Sequence, residues 1–382
     1  MHRLLLPFLL VLLVLPAQAQ DTDEPPSVET LNYNALAWRG IGPAFTSGRI
    51  ADIAIHPDDN DTWFVTVGSG GVWKTENSGT TWQSLFDGQG SYSTGAIALD
   101  PQNPNTVWVG SGEDVGGRHV GYGDGIYRST DGGRSWENKG LKDSQHLSTI
   151  WVHPTDSDVV LVAAQGPLWS KGGERGIYRT TDGGETWTRT LGDDEWTGAT
   201  DLVADPRDPN VLYAATWQRH RNVAAYMGGG PGSGLHKSTD GGQTWTKLSR
   251  GLPSSNMGKI GLAVSPQNPD RIYAAIELDG RTGGVFMSDN RGASWRKMSD
   301  TVAGGTGPHY YQELYASPHY EGRIYLMDVR IQQSNDHGAN FERERSQYKH
   351  SDNHALAFRP DDPDYLLAGT DGGLYESFDN GE

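Results

Sequence analysis

A short polar motif recurs along the chain and constrains its fold more than any other feature. At its clearest, in residues 129–136, it reads Ser-Thr-Asp-Gly-Gly-Arg-Ser-Trp, and its third position returns at intervals of 43 to 58 residues. The residues at that third position are Asn77, Asp131, Asp182, Asp240, Asn290, Asp336 and Asp379. A period of this size indicates one supersecondary unit repeated along the chain.

Each position of this motif, which we call the Asp box, has a role in building a turn. A short acidic or amide side chain accepts hydrogen bonds from backbone N–H groups that follow it, and the later glycine adopts positive φ without strain. The closing tryptophan starts a new strand and offers a large apolar face. Asn77 and Asn290 occupy the Asp position, as expected if the turn needs an acceptor and not a charge. We therefore interpret the boxes as structural hairpin turns without catalytic chemistry.

The residues between successive boxes repeat one order of strands and turns. An apolar strand such as residues 50–55 ends in a polar turn, and a second strand such as residues 63–67 follows. A third strand such as residues 71–74 leads into the box, whose tryptophan opens a fourth. The chain has 51 glycines and 13 tryptophans, which favours many short strands over helices. Four antiparallel strands repeated seven times predict an all-β, seven-bladed β-propeller.

The seventh repeat stops inside its box, so its fourth strand is expected to come from another part of the chain. An open ring would expose the edges of its end blades. Residues 36–42, upstream of the first repeat, have the character of a spare fourth strand, with Trp38 placed 11 residues before Arg49. We therefore expect the N-terminal strand around Trp38 to complete blade seven and close the ring.

The first nineteen residues are predicted to be a cleaved signal peptide. Arg3 supplies the positive start, residues 4–15 the apolar run and residues 17–19 the small-residue cleavage site. The polar, proline-bearing residues 20–32 are then a flexible leader, and the propeller domain spans residues 33–382. We expect a secreted or periplasmic protein.

Charge and cysteine content exclude several kinds of partner. The formal net charge is −17, which argues against nucleic acid and anionic membrane surfaces. The apolar run near the N terminus is too short to span a bilayer, so no membrane insertion is expected. The chain has no cysteine, so its stability must come from its core. We expect a monomer.

Several stretches carry a family resemblance beyond the box itself. They are residues 38–43, 48–50, 69–74, 121–136, 217–221, 228–245 and 369–374. With the repeated box, they resemble Asp-box (BNR-type) propellers, which include sialidases, the sortilin-type propeller and secreted xyloglucanases. The nearest resemblance is to bacterial secreted proteins described as sortilin-like or glycosyl-hydrolase-like. Because such proteins usually continue into a second propeller, this chain resembles a truncated version of them.

In a propeller, the loops from strand two to three and from strand four to the next blade open on the face opposite the boxes. We expect long loops there, at residues 112–125, 166–176, 188–199, 217–234, 296–311 and 341–353. Long loops on a rigid scaffold often hold binding residues. The candidate ligand-binding residues in or beside these loops are Trp169, Trp196, Trp217, Arg219, Arg221 and Tyr310. The tryptophans could stack on sugar rings or plug their own loops, and the arginines could bind a ligand or pair with nearby acids.

His350, Asp352 and His354 form a second candidate group. Alternate residues of a strand share one face, so these three are expected to lie together on the innermost strand of blade seven. Two imidazoles and a carboxylate could bind a metal or form a hydrogen-bonded plug of the central channel. We favour the plug, count the three as ligand-binding candidates, and predict no metal and no cofactor.

Glycoside hydrolysis would require two carboxyl groups facing each other across the scissile bond. The catalytic candidates are Glu113, Asp114 and Asp371. The resemblance to xyloglucanases implies an aspartate after the second strand of blade one, but residues 67–73 read Val-Gly-Ser-Gly-Gly-Val-Trp and contain no acid. The leading prediction is therefore a propeller that recognises an extracellular glycan, xyloglucan or a related polysaccharide. An active glycoside hydrolase and a sortilin-like propeller that binds peptide remain the alternatives.

Overall fold

The computed structural model describes residues 48–192, 194–304, 307–345 and 348–381. Their strands form seven antiparallel sheets that follow one another along the chain as blades, plus one small two-stranded hairpin, which confirms the predicted all-β, seven-bladed propeller. In the part of the chain that the structure describes, no helix is long and apolar enough to cross a membrane. The closing strand predicted around Trp38 and the predicted signal peptide and leader lie outside the described residues.

The first four blades contain four strands each. Blade one has β1 (Ile50–His56), β2 (Asp59–Val67), β3 (Gly71–Thr75) and β4 (Gln83–Ser84). Blade two has β5 (Thr94–Asp100), β6 (Asn103–Ser111), β7 (Ile126–Ser129) and β8 (Glu137–Asn138). Blade three has β9 (Leu147–Val152), β10 (Val160–Ala164), β11 (Gly176–Thr180) and β12 (Thr188–Leu191). Blade four has β13 (Thr197–Asp205), β14 (Asp208–Gln218), β17 (Gly234–Ser238) and β18 (Thr246–Lys247), and a small hairpin, β15 (His220–Arg221) and β16 (Tyr226–Met227), interrupts it.

The last three blades follow the same order. Blade five has β19 (Met257–Val264), β20 (Ile272–Leu278), β21 (Thr282–Ser288) and β22 (Arg296–Ser299), with a 3₁₀ turn at Asp279–Arg281. Blade six has β23 (Leu314–Ala316), β24 (Ile324–Leu326), β25 (Gln332–Ser334) and β26 (Glu342–Arg343). Within the described residues, blade seven has β27 (Asn353–Phe358), β28 (Leu366–Thr370) and β29 (Gly373–Ser377).

Blade one packs directly against blade seven, so the two ends of the described ring meet. Ile50 and Val65 of blade one share a buried apolar cluster with Ala355, Tyr365 and Leu367 of blade seven. Similar clusters lie between the other neighbouring blades, for example between blades four and five. The core is thus a ring of apolar layers, each made by facing sheets and excluded from water.

The Asp boxes form the predicted turns between the third and fourth strands. In blade two, the Asp131 carboxylate accepts hydrogen bonds from the Ser135 N–H at 2.9 Å, the Ser135 hydroxyl at 2.6 Å and the Ser129 hydroxyl at 2.8 Å. These bonds lower the pKa of Asp131 to about 2. Asn77 and Asn290 accept the equivalent backbone N–H bonds at 2.8 and 2.9 Å. The position therefore requires an acceptor and not a charge.

Some of the box tryptophans connect successive blades. Trp136 Nε1 in blade two donates to the Leu85 carbonyl oxygen at 2.9 Å, and Trp187 Nε1 in blade three donates to the Lys139 carbonyl oxygen at 2.8 Å. Both acceptors come immediately after the fourth strand of the preceding blade. Each of these blades is therefore hydrogen-bonded back to the blade before it.

Two half-buried aspartates join blades around the central channel. Asp52 and Asp201 lie at bulges in the first strands of blades one and four. Asp52 accepts a hydrogen bond from the Ile97 N–H of blade two at 2.9 Å, and Asp201 accepts one from the Leu262 N–H of blade five at 2.7 Å. Burial raises the pKa of each carboxyl to about 7, against the opposing effect of these hydrogen bonds.

Candidate functional site

The loops from strand two to three and from strand four to the next blade meet on the face opposite the Asp boxes, which we call the long-loop face. Between blades one and two, Ser93 Oγ lies 2.8 Å from the Gly68 carbonyl oxygen and 3.1 Å from the Gly121 carbonyl oxygen. The Glu113 N–H donates to the same hydroxyl at 3.1 Å. Loops from two blades are therefore fixed to each other around one serine.

Several of the long loops predicted from the sequence are shorter than expected. Residues 188–199 contain β12 and the start of β13, residues 296–311 contain β22, and residues 341–353 contain β26 and the start of β27. These fourth strands are mostly polar or charged and exposed on their outer side. They lack the apolar alternation that distinguishes a strand from a loop in sequence.

Arg49, which directly precedes β1, is the centre of a polar cluster on the long-loop face. Its guanidinium contacts the Glu113 carboxylate, Asp371 Oδ1 at 3.1 Å and His119 Nε2 at 2.9 Å. Asp371 Oδ1 also lies 2.9 Å from His354 Nε2. We call these five residues the Arg49 cluster. It brings together three residues that the sequence proposed separately, Glu113, His354 and Asp371.

The two carboxylates of the Arg49 cluster have different environments. Burial raises the pKa of Asp371, but hydrogen bonds and positive charge from His354 and Arg49 outweigh it and lower the pKa to about 2. The Asp371 side chain is 39% exposed and is therefore an accessible, ionised acceptor. The Glu113 side chain is only 2% exposed and lies beneath Arg49. Glu113 thus positions the guanidinium and does not face solvent.

Aromatic rings extend the Arg49 cluster along the same face. Tyr311 stacks on His354 with ring centroids 5.3 Å apart, and Tyr310 stacks on His119 at 6.0 Å. The Arg49 guanidinium lies 5.7 Å from the Tyr310 ring centroid. Tyr310 is half-buried and His119 exposed. The predicted candidate Tyr310 therefore lies next to the cluster with part of its ring accessible.

The expectation that His350, Asp352 and His354 share one strand face is wrong. Strand β27 begins at Asn353, and Asp352 has a φ of +66°, which breaks the alternation. His350 is exposed, Asp352 accepts a hydrogen bond from the Tyr311 hydroxyl at 2.5 Å, and His354 is buried against Asp371. Among the described residues, no group of three or more His, Cys, Asp or Glu side chains is arranged to hold a metal ion.

Like His354, three more of the predicted ligand-binding residues are buried. Trp217 is 1% exposed, and Arg219 and Arg221 are 0% and 6% exposed. Arg219 donates to the Val115 carbonyl oxygen at 3.2 Å, and Arg221 donates to the Gly116 carbonyl oxygen at 2.8 Å. Burial lowers the pKa of Arg219 to about 9. These arginines satisfy buried backbone carbonyls where the loop of blade four packs on the loop of blade two, so they hold loops together.

The other two tryptophans are half-buried. Trp169 packs against an apolar cluster that contains Val115, Val120 and Leu168. Trp196 makes an edge-on contact with the His220 ring, with centroids 4.4 Å apart. In both cases the ring packs against residues of a neighbouring loop, and only part of it is accessible to a ligand.

Two exposed tyrosines on the long-loop face were not identified from the sequence. Tyr92 is 67% exposed and Tyr122 is 54% exposed. Ser91 Oγ donates to the Tyr122 carbonyl oxygen at 2.8 Å, so the two backbone segments are adjacent. Their neighbours Ser93 and Gly121 belong to the loop junction that also holds Glu113. Each tyrosine is a single aromatic in a loop of small residues, which gives no pattern to detect.

The central channel contains a polar cavity of about 250 Å³. Lys259 Nζ lies 2.5 Å from Glu313 Oε1 within it. Asp114, a catalytic candidate from the sequence, also lines the cavity. Burial raises the pKa of Asp114 to about 6, with the positive charge of Lys259 opposing this effect and the negative charge of Glu313 adding to it. Asp114 therefore keeps its proton to a higher pH than Asp371 does.

Comparisons with known sequences agree with this architecture. Residues 124–281 match the family model described as "Sortilin, neurotensin receptor 3". The chain is 26% identical over 319 residues to a xyloglucanase from Paenibacillus sp., an alignment that covers 80% of this chain and 26% of that protein. The chain thus spans about a quarter of the length of this curated relative.

Solved structures show the same fold at low identity. The GH74 xyloglucanase from Xanthomonas campestris superimposes with a TM-score of 0.64 at 15% identity, over 87% of this chain and 52% of that chain. YCF48 bound to D1 peptide superimposes with a TM-score of 0.57 at 16% identity, over 88% of this chain and 94% of that chain. The chain is an Asp-box β-propeller that is similar to both sortilin-type and xyloglucanase propellers.

Proposed function

We propose that this chain is an extracellular propeller that binds a neutral polysaccharide, xyloglucan or a related glycan, on its long-loop face. The sequence similarity to a xyloglucanase supports a glycan ligand. Similarity of fold alone would not support a glycan ligand, because one fold hosts many functions and function depends on the site.

The observation that carries the proposal is the adjacent pair Tyr92 and Tyr122. A phenol ring that is more than half exposed gives an apolar face for a pyranose ring and a hydroxyl group for a hydrogen bond. The junction through Ser93 places this pair beside the Arg49 cluster, where the ionised Asp371 is an exposed acceptor for sugar hydroxyls. Aromatic faces next to fixed polar groups are the usual composition of a carbohydrate site.

Charge favours a neutral ligand over an acidic one. The Arg49 guanidinium is already paired with two carboxylates, and Arg219 and Arg221 are buried on backbone carbonyls. The net charge of −17 repels polyanions at long range. These three arginines are therefore not available to a polyuronic acid.

Affinity electrophoresis in xyloglucan gels, followed by calorimetry, tests the proposal. Replacing Tyr92 or Tyr122 by alanine should weaken binding about tenfold each, the value of one aromatic stacking contact, without lowering the melting temperature. Tyr320→Ala is the matched control, because Tyr320 is 39% exposed in a loop on the opposite face. Absence of binding by the wild-type chain, or full binding by both tyrosine variants, contradicts the proposal. Binding of a peptide in place of any glycan would favour the sortilin-like alternative.

A glycoside hydrolase is the second candidate, and the contrast between Asp114 and Asp371 favours it. Hydrolysis needs one carboxyl that holds a proton and one that is ionised. The raised pKa of Asp114, about 6, and the lowered pKa of Asp371, about 2, provide this contrast. Both groups interact with His354, which places them in one region of the channel mouth.

Release of reducing ends from xyloglucan by the purified chain tests hydrolysis. Asp114→Asn should remove the proton donor and Asp371→Asn the ionised group, so each variant should lose activity by a factor of about 100 or more. Tyr320→Ala serves as the control here as well. A wild-type chain that binds the polymer and releases no reducing ends leaves binding as the function and rejects catalysis.

A further inference from the structure

A second cavity, of about 400 Å³, opens on the long-loop face where loops of blades four, five and six meet. Residues 226–229 form one wall, and the end of β20 with the following 3₁₀ turn forms another. His309, in the loop that leads into blade six, forms a third wall. We call this cavity the blade-five pocket.

Glycines keep the blade-five pocket open. A Cβ atom at Gly228 would lie 2.7 Å from the Tyr226 ring, and one at Gly229 would lie 2.6 Å from a backbone carbonyl oxygen. A Cβ atom at Gly258 would lie 2.3 Å from the Glu277 carboxylate. Larger residues at these positions would displace the walls, so the shape of the pocket depends on glycine at each of them.

The lining of the blade-five pocket suits a neutral, hydroxyl-rich ligand. Glu277 is half-buried and Asp279 is exposed, so one carboxylate acceptor lies deeper in the pocket than the other. Met227 is 50% exposed and adds an apolar surface. The Tyr226 hydroxyl is buried without a hydrogen-bond partner among the described residues. The described lining residues include no lysine or arginine, so the pocket offers acceptors to hydroxyl donors and disfavours anions.

A series of ring–ring contacts connects this pocket to the Arg49 cluster. The ring centroids of Tyr226 and His309 are 4.9 Å apart, and those of His309 and Tyr310 are 4.7 Å apart. Tyr310 in turn stacks on His119 of the Arg49 cluster at 6.0 Å. The blade-five pocket and the Arg49 cluster are therefore connected by a series of ring contacts across the long-loop face.

We propose that the blade-five pocket is a second saccharide subsite, which holds another part of the same neutral glycan chain that lies on Tyr92, Tyr122 and the Arg49 cluster. This inference rests on the proposed function and extends it. The ligand is then a polymer long enough to reach from blade one to blade five, and a short oligosaccharide fills only one end of the surface.

Calorimetry with neutral β-glucan oligosaccharides of increasing length tests the second subsite. Wild-type affinity should rise about tenfold once the oligosaccharide reaches the blade-five pocket. Asn256→Trp, at the exposed rim of the pocket, should abolish this rise and leave the affinity for short oligosaccharides unchanged. Asp279→Ala should reduce this increase in affinity, because it removes a carboxylate hydrogen-bond acceptor. Val223→Trp is the matched control, because Val223 is 88% exposed in a loop of blade four and does not line the pocket.

The outcomes separate this inference from the function on which it rests. Suppose that short oligosaccharides bind and that Tyr92→Ala weakens their binding. If affinity then does not increase with oligosaccharide length, or if Asn256→Trp retains the full increase, the second subsite is refuted and glycan binding stands. If no oligosaccharide binds the wild-type chain at any length, the proposed function and the second subsite both fail. The subsite is established if the increase in affinity with oligosaccharide length is retained in Val223→Trp and lost in Asn256→Trp.

Discussion

Replacing Arg49 by methionine should destabilise the propeller strongly, because it would leave a buried carboxylate without its counter-charge. The Glu113 side chain is 2% exposed, its Oε1 contacts Arg49, and its Oε2 has no partner among the described residues. Removing one partner of a buried ion pair costs about 3–5 kcal/mol. Methionine keeps most of the apolar volume of arginine, so the loss measures charge and not packing.

Replacing Glu113, the other partner of the ion pair, should lower the free energy of unfolding by less. In Glu113→Gln, Arg49 keeps its bond to Asp371, and the amide still fills the space of the carboxylate. We expect a loss of about 1–2 kcal/mol, the value of one buried hydrogen bond to a charged group. The double variant Arg49→Met, Glu113→Gln should be more stable than Arg49→Met alone by about 2 kcal/mol, because no charge remains buried without a partner.

Urea denaturation followed by tryptophan fluorescence gives the free energy of unfolding of each variant. The coupling energy between Arg49 and Glu113 then follows from the double-mutant cycle. If Arg49→Met lowers the free energy of unfolding by less than about 1 kcal/mol, the pair behaves like an exposed ion pair and the argument is refuted. Equal stability of Arg49→Met and the double variant would also refute it.

Three further predictions concern the scaffold. The carboxyls of Asp52 and Asp201 have a pKa of about 7 in the folded chain against 3.8 for an ordinary aspartate, so the folded state holds more protons between these values. The free energy of unfolding should therefore fall as pH rises from about 4 to 7, and a pH series of urea titrations measures this slope. Asp131, with its pKa lowered to about 2, should stabilise the fold above pH 3.8 and lose this effect as pH falls towards 2. In thermal melts, Asp131→Asn should abolish that acid dependence at little cost near neutral pH, whereas Asp131→Ala should lower the melting temperature throughout. Trp217→Ala should cost about 3–5 kcal/mol in urea titrations, because a large buried side chain leaves a cavity, and unchanged stability would show that the ring is not part of the core.

The fold could be predicted from the sequence because the Asp box is a local structure. The hydrogen bonds of its Asp side chain lie within a few residues, as those of Asp131 do, so each turn can be recognised without knowledge of the rest of the chain. Repetition at a regular interval then gives the number of blades. The closing strand around Trp38 remains a prediction.

The candidate site could be predicted only in part, because it depends on contacts between distant loops. Glu113, His354 and Asp371 were identified singly as polar residues in loops or inner strands, but nothing in the sequence shows that Arg49 joins them. The sequence left open whether Trp217 stacks on a sugar ring or plugs its own loop. In the structure the ring is buried, and its Nε1 donates to the Gly228 carbonyl oxygen of the same loop at 2.9 Å.

The interpretation of residues 350–354 failed for a more local reason. Strand alternation was assumed through Asp352, but the left-handed conformation of this residue turns the chain just before β27 begins. Aspartate tolerates this conformation better than most residues other than glycine and asparagine. A single such residue was enough to separate His350 from His354.

The backward hydrogen bonds of the box tryptophans give the ring a direction of assembly. Trp136 and Trp187 each need a carbonyl group from the blade that precedes them in the chain. During synthesis from the N terminus, that acceptor has already left the ribosome when the tryptophan emerges, so each new blade can dock on a finished neighbour. A chain permuted to start in blade two would place Trp136 ahead of its acceptor at Leu85, so this one contact could form only after the last segment of the chain had been translated.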